Sequence, residues 1–236
     1  MTDEVAEAGE GESLPLFRRI KLWDWPVRIV HWGFVVLLPA LWWTAENDRM
    51  AVHRWLGYVA LGLIVFRLYW GFAGSAPARF STFLKGPRAI AAYVRGAGHT
   101  GLGHNPLGAL SVVALLGLLF AQVILGLFTQ DIDGLEAGPL ARYVSYSAAD
   151  TARVLHGAVF IALLWAVGLH VSAVTLYGLV GRTNLLGPML TGWKRVPAHM
   201  PSPRLAPLWR WAAGLIVASG VVFWVLAGAP LPELAG

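Results

Sequence analysis

LHGAVFIALLWAVGLH, Leu155–His170, is apolar except for a histidine near each end, and its reading decides the fold. A buried imidazole costs free energy unless something pairs with it. The flanking residues extend this run to Val154–Gly181, long enough to cross a bilayer as a helix, which takes about 20 apolar residues. Four more charge-poor runs share its character: Ile29–Ala45, Trp55–Ala76, Pro106–Gln130 and Trp211–Pro232. The first is short and must borrow flanking residues. Hence the expected fold class is all-α, an integral membrane helical bundle.

Composition agrees. Of 236 residues, 57% are hydrophobic and 13% charged, against about 25% charged in soluble domains. There is no cysteine, which excludes disulfides, thiolate-held iron–sulfur clusters and covalent c-type haem attachment. The net charge of +5 does not point to nucleic acid, because the basic residues lie between apolar runs, at headgroup level. Trp23, Trp25, Trp42, Trp43, Trp55, Trp70, Trp193 and Trp209 fall near run ends, as an aromatic belt would.

The connecting segments alternate in charge. Arg18, Arg19, Lys21 and Arg28 precede the first run; Arg79, Lys85, Arg88 and Arg95 follow the second; Arg182, Lys194, Arg195, Arg204 and Arg210 follow the fourth. The intervening loops are acidic, with Glu46 and Asp48 after the first run and Asp131, Asp133, Glu136 and Asp150 after the third. The positive-inside rule then places the N-terminus in the cytoplasm and the C-terminus outside. Residues 1–16 read as a disordered acidic cytoplasmic tail, 17–195 as a four-helix core, and 196–236 as a cytoplasmic loop with a fifth transmembrane helix. Lys85–Gly96 reads as a short amphipathic surface helix or a solvated loop.

The topology gives each histidine a depth. His156 and His170 are 14 residues apart, so they lie within about 40° of one helix face and about 21 Å apart along it. His31 shares the cytoplasmic half with His170, and His53 shares the outer half with His156. The pairing of His31 with His170 requires the fourth span to project well into the cytoplasm, since His31 is three residues from Arg28 and His170 twelve from Arg182. Structural zinc wants four ligands per site, and no cysteine or carboxylate lies in these runs. Haem iron needs two axial ligands, with the ring in an apolar cavity, so two bis-histidine b haems suit the four residues. Gly33, Gly57, Gly157 and Gly168 leave room for a flat ring; the competing reading is small residues that let helices pack. Arg67, charged inside a span, faces either a haem propionate or the nearby headgroups. His99 and His199 read as solvated, and His104 takes no axial role.

These segments resemble the bacterial di-haem b-type cytochromes of the cytochrome b561 family, which include the cytochrome subunit of nickel–iron hydrogenases. RIVHWGFVVLLPAL (Arg28–Leu41), HRWLGYVALGLIVFRLYWGFAG (His53–Gly74), GHNPLGALSVVALLGLLFAQVILGLF (Gly103–Phe128) and the opening stretch carry the resemblance. It implies a four-helix core with two haems ligated from the first, second and fourth helices, and quinone as the redox partner in the membrane. The fifth helix departs from that core. The leading expectation is a conduit carrying electrons between a periplasmic redox protein (a c-type cytochrome or hydrogenase-like subunit) and membrane quinone. One alternative is a superoxide oxidase that passes electrons to quinone. That reaction wants a cationic entrance, whereas acids outnumber Arg49, Arg54, Arg142 and Arg153 in the outer loops. The other alternative is a haem-free transporter with a histidine proton relay.

Overall fold

The computed structural model describes residues 17–97, 101–181 and 183–230. The expected acidic tail, His99, Arg182 and Glu233 lie outside the described residues. In chain order the elements are β1 (Phe17–Lys21), α1 (Trp25–Glu46), α2 (Met50–Ala73), α3 (Phe80–Phe83), α4 (Pro87–Val94), α5 (Pro106–Phe128), α6 (Tyr146–Leu179), α7 (Leu186–Thr191), β2 (Trp193–Pro197) and α8 (Leu208–Leu226). Five of these helices (α1, α2, α5, α6 and α8) are long and apolar enough to cross a membrane, so the chain is an all-α multi-pass membrane bundle.

Caps fix the helix starts. The Asp24 carboxylate accepts from the Val27 N–H at 3.2 Å, Asn105 from Gly108 at 2.7 Å, and Ser145 from Ala148 at 3.3 Å. Pro26 and Pro106 sit in first turns, where no N–H is needed. The Ser145 cap starts α6 eight residues before the apolar run begins. The intervening charges do not break it, because Arg153 donates to Asp150 one turn earlier at 2.6 Å. With 34 residues α6 is about 51 Å long, well beyond a hydrocarbon core of about 30 Å. Its first eight residues extend it at the His156 end, and beyond His170 it continues for nine residues to Leu179.

The bundle divides in two. α1 packs on α2 and α2 on α8; α5 packs on α6, and α2 makes a lesser contact with α5. α6 makes no extended contact with α1 or α2. The two halves face each other across the histidine-bearing helices.

A two-stranded antiparallel sheet was not legible in the sequence. β1 pairs with β2, Phe17 opposite Pro197 and Lys21 opposite Trp193. Leu22 N–H donates to the Gly192 carbonyl at 2.8 Å, and Arg28 and Trp32 donate to Met189 at the end of α7. These bonds satisfy carbonyls that a helix end leaves open. They tie the start of α1 to the segment ahead of α8. Two tryptophans depart from the expected belt. Trp23 and Trp70 are buried, and the Trp70 indole N–H donates to Asp24 at 3.1 Å, while Trp25, Trp42, Trp43, Trp55, Trp193 and Trp209 are exposed. The amphipathic segment forms α4, which lacks a buried residue.

Candidate functional site

Each of the four histidines expected to pair by depth meets its partner across the divide. The His53 and His156 ring centroids are 6.4 Å apart, and those of His31 and His170 are 6.5 Å apart. Two imidazole–metal bonds of about 2 Å, with half a ring on each side, span about 6 Å. The spacing therefore leaves room for one metal ion between each pair. Among the described residues no group of three or more His, Cys, Asp or Glu gathers to hold an ion alone, so a protein-only metal cage is absent there.

At the His53 end, second partners fix the tautomers. His53 Nδ1 lies 3.0 Å from the Leu41 carbonyl, and His156 Nδ1 lies 3.0 Å from the Gln122 carbonyl. A carbonyl only accepts, so each Nδ1 carries the proton and each Nε2 carries a lone pair. A metal-binding histidine has this arrangement, with its other N–H given to a carbonyl. The His156 lone pair takes a hydrogen bond from the Gln122 side-chain amide at 3.1 Å, and the Gln122 Oε1 is buried without a partner. Gly126 lies beside the same ring, where an added Cβ would stand 3.0 Å from His156 Cε1.

At the other end the polar groups are less satisfied. His31 Nδ1 is buried with no hydrogen bond, and His170 Nδ1 has Ser111 Oγ at a long 3.5 Å. Arg67 is 7% exposed, so it does not snorkel to the headgroups. Its Nη1 is buried with no partner, and its guanidinium lies 5.5 Å from the Phe80 ring centroid. Asp24, the nearby acid, is already engaged by Val27 and Trp70 and forms no ion pair with Arg67. His104 packs between Trp23 and Phe83, with centroids at 4.9 and 5.1 Å, and its Nδ1 is also orphaned. Burial, then the charges of Arg67 and His170, push its pKa down to about 4. Beyond it, Asn105 donates to the Tyr93 and Tyr177 hydroxyls at 2.9 and 3.1 Å, joining α4 and α6 to the start of α5.

The glycines divide between the two readings. A Cβ on Gly33 would meet the Leu63 side chain at 3.0 Å, which is helix packing. Gly57 is half-buried with nothing within 4 Å of an added Cβ, which suits a flat ring's approach. Gly157 and Gly168 also have nothing within 4 Å of an added Cβ, so neither serves close helix packing. Sequence reading missed Gln122 and Ser111. A signal existed: they are the polar side chains of α5, and their spacing of 11 residues is about three turns, so they share one face.

Fold and site together define a multi-pass helical membrane protein with paired histidines at two depths. The family model for prokaryotic cytochrome b561 matches residues 22–192, and the chain belongs to that family. Comparison with curated proteins and with solved structures finds no match. Membership makes the chain a membrane b-type cytochrome of electron transfer and implies b-type haem. The residues present fit that group: metal-sized gaps between imidazoles, protonated Nδ1 atoms at one end, and an orphaned Arg67 to meet an acid group at the other.

Proposed function

We propose that this chain is a di-haem cytochrome b that carries electrons across a bacterial inner membrane, between a periplasmic redox protein and membrane quinone. The observation that carries it is the near-equal separation of the two histidine pairs, 6.4 and 6.5 Å between centroids, at two depths of one bundle. In this reading residues 17–195 are the di-haem core. His53 and His156 would hold one haem and His31 and His170 the other, with His156 and His170 about 21 Å apart along α6. Bound haem supplies a one-electron couple between ferric and ferrous iron. The protein sets the rest. The Leu41 and Gln122 carbonyls orient the outer ligands, and the unpartnered Arg67 would meet a propionate of the inner haem. The quinone partner rests on the family resemblance.

The charge alternation supports a cytoplasmic N-terminus and puts the His53 end at the periplasm. There Arg54 pairs with Glu136, Arg153 with Asp150, and Arg142 donates to the Gly228 carbonyl. Arg54 and Arg153 are thus neutralised. Arg49 and Arg142 keep their charge against Glu46, Asp48, Asp131 and Asp133, which form no ion pair among the described residues. The remaining balance is acidic, which disfavours a superoxide entrance. Ile132 and Leu135 beside Asp131 and Asp133 are 72% and 84% exposed. An acidic, apolar tip suits a soluble partner with a basic rim, such as a c-type cytochrome.

The test is a haem count followed by redox assay. Protein purified with its lipids is expected to yield two b haems per chain by pyridine haemochrome, reduced by a quinol and reoxidised by a basic c-type cytochrome. One haem per chain, or none, refutes the di-haem reading. Two haems inert to quinol refute the quinone link.

A further inference from the structure

Away from the histidines, the end of α2 and the segment leading into α8 enclose a cleft of about 240 Å³. By volume it holds roughly eight waters. Its charged lining is three arginines, Arg79, Arg204 and Arg210, with no Asp or Glu. The backbone holds them in place. Ala76 N–H donates to the Arg204 carbonyl at 2.9 Å, Ala206 N–H to Ser75 Oγ at 2.8 Å, and Arg210 Nη1 to the Ala73 carbonyl at 3.1 Å.

Three arginines lining one small space with no acid among them favour an anion there. None is in an ion pair among the described residues. Arg79 Nε is buried with no hydrogen-bond partner, and the Arg204 side chain is exposed with none. A buried guanidinium N–H left unpaired is costly. The first-turn N–H groups of α8, which no side chain caps, add to the positive field.

We propose that this cleft binds a phosphoryl group. Guanidinium forks match phosphate oxygens in pairs, where carboxylates offer fewer oxygens and chloride none. The cleft lies at the ends of two spanning helices, at headgroup level, so the phosphate of an anionic phospholipid and free phosphate in solution are the two sources of this chemistry. The fifth helix then has a purpose: its leading segment supplies Arg204 and its first turn Arg210. This inference is independent of how haem is held.

The experiment uses the full haem-loaded protein. Its thermal midpoint is read in phosphatidylcholine nanodiscs with and without phosphatidylglycerol, and in detergent with inorganic phosphate or chloride at equal ionic strength. The variants are Arg79→Gln, Arg204→Gln and Arg210→Gln, with Arg88→Gln, exposed on α4, as control. The expected result is a rise of several degrees with phosphatidylglycerol in the parent and the Arg88 variant, reduced or lost in the cleft variants. A rise with inorganic phosphate, lost in the same variants, supports the site and names the soluble source. No rise with either, or an equal rise in parent and cleft variants, overturns the proposal. Should Arg79→Gln or Arg210→Gln fail to fold, Arg204→Gln decides alone, because its exposed side chain makes no hydrogen bond.

Discussion

His53 and His156 face each other across the bundle with ring planes at 78° and each Nδ1 on a backbone carbonyl. Two helices that barely touch thus present two preset lone pairs to one gap. Removing either ligand should cost the same centre. His53→Ala and His156→Ala are each expected to lower the haem content from two per chain to one, and to lose the same component of the reduced spectrum. His31→Ala and His170→Ala should lose the other. Different spectral losses within one pair would break the pairing. The check is pyridine haemochrome with low-temperature difference spectra.

Gln122 holds the His156 lone pair through its side-chain amide at 3.1 Å. That bond must break before a metal can bind there, and a net hydrogen bond is worth about 1 kcal/mol. Gln122→Leu leaves the backbone carbonyl that orients the ring. In a His31→Ala background, which isolates this centre, it should tighten haem binding about fivefold. Haem titration of the apoprotein, followed at the Soret band, measures this. Unchanged or weaker binding would mean that the amide contributes to the haem-bound state instead.

How much the sequence disclosed follows from what each feature depends on. The spans depend on hydropathy, which is local, and His156 and His170 share a face because helix geometry is regular. The loop charges then paired the histidines by depth without any contact being known. Other features depend on the fold in three dimensions. Trp70 reads as a belt residue until Asp24 is seen beside its indole. The strands are five residues each and more than 170 positions apart, so no local pattern marks them as partners. Arg67 could pair inward or reach outward along the sequence, and only its burial separates the two. Gln122 sits between these cases, visible as an amide in an apolar run but not as a neighbour of His156.

His104 links pH to stability. Its folded pKa is about 4, against an ordinary value of about 6.5 for histidine. Between those values the unfolded chain binds a proton that the folded chain does not, so stability rises with pH through this window and is lost as pH falls. Below about pH 4 both forms are protonated and the effect levels off. The full difference is on the order of 3 kcal/mol for this one group. Replacement by asparagine should flatten the acid limb of the thermal midpoint between pH 6.5 and 4 in detergent, relative to the parent. An unchanged limb would show that His104 is protonated in the fold.

Arg67 places a buried positive charge near His104, which itself lies within electrostatic reach of His170, and no carboxylate is in ion-pair contact with it. Adding an electron to a nearby centre is easier beside a cation, so Arg67→Gln should lower the potential of the centre that His31 and His170 hold. At about 10 Å and an effective dielectric of about 20, one charge is worth about 1.7 kcal/mol, or roughly 70 mV for one electron. Water and propionate charges reduce this, so a fall on the order of tens of mV is expected. The potential of the His53/His156 centre, some 21 Å further along α6, should barely move. Arg67→Lys, which keeps the charge, should recover most of the shift. Potentiometric titration of the paired spectral components gives the reading. A shift confined to the outer centre, or none, would separate Arg67 from the inner one.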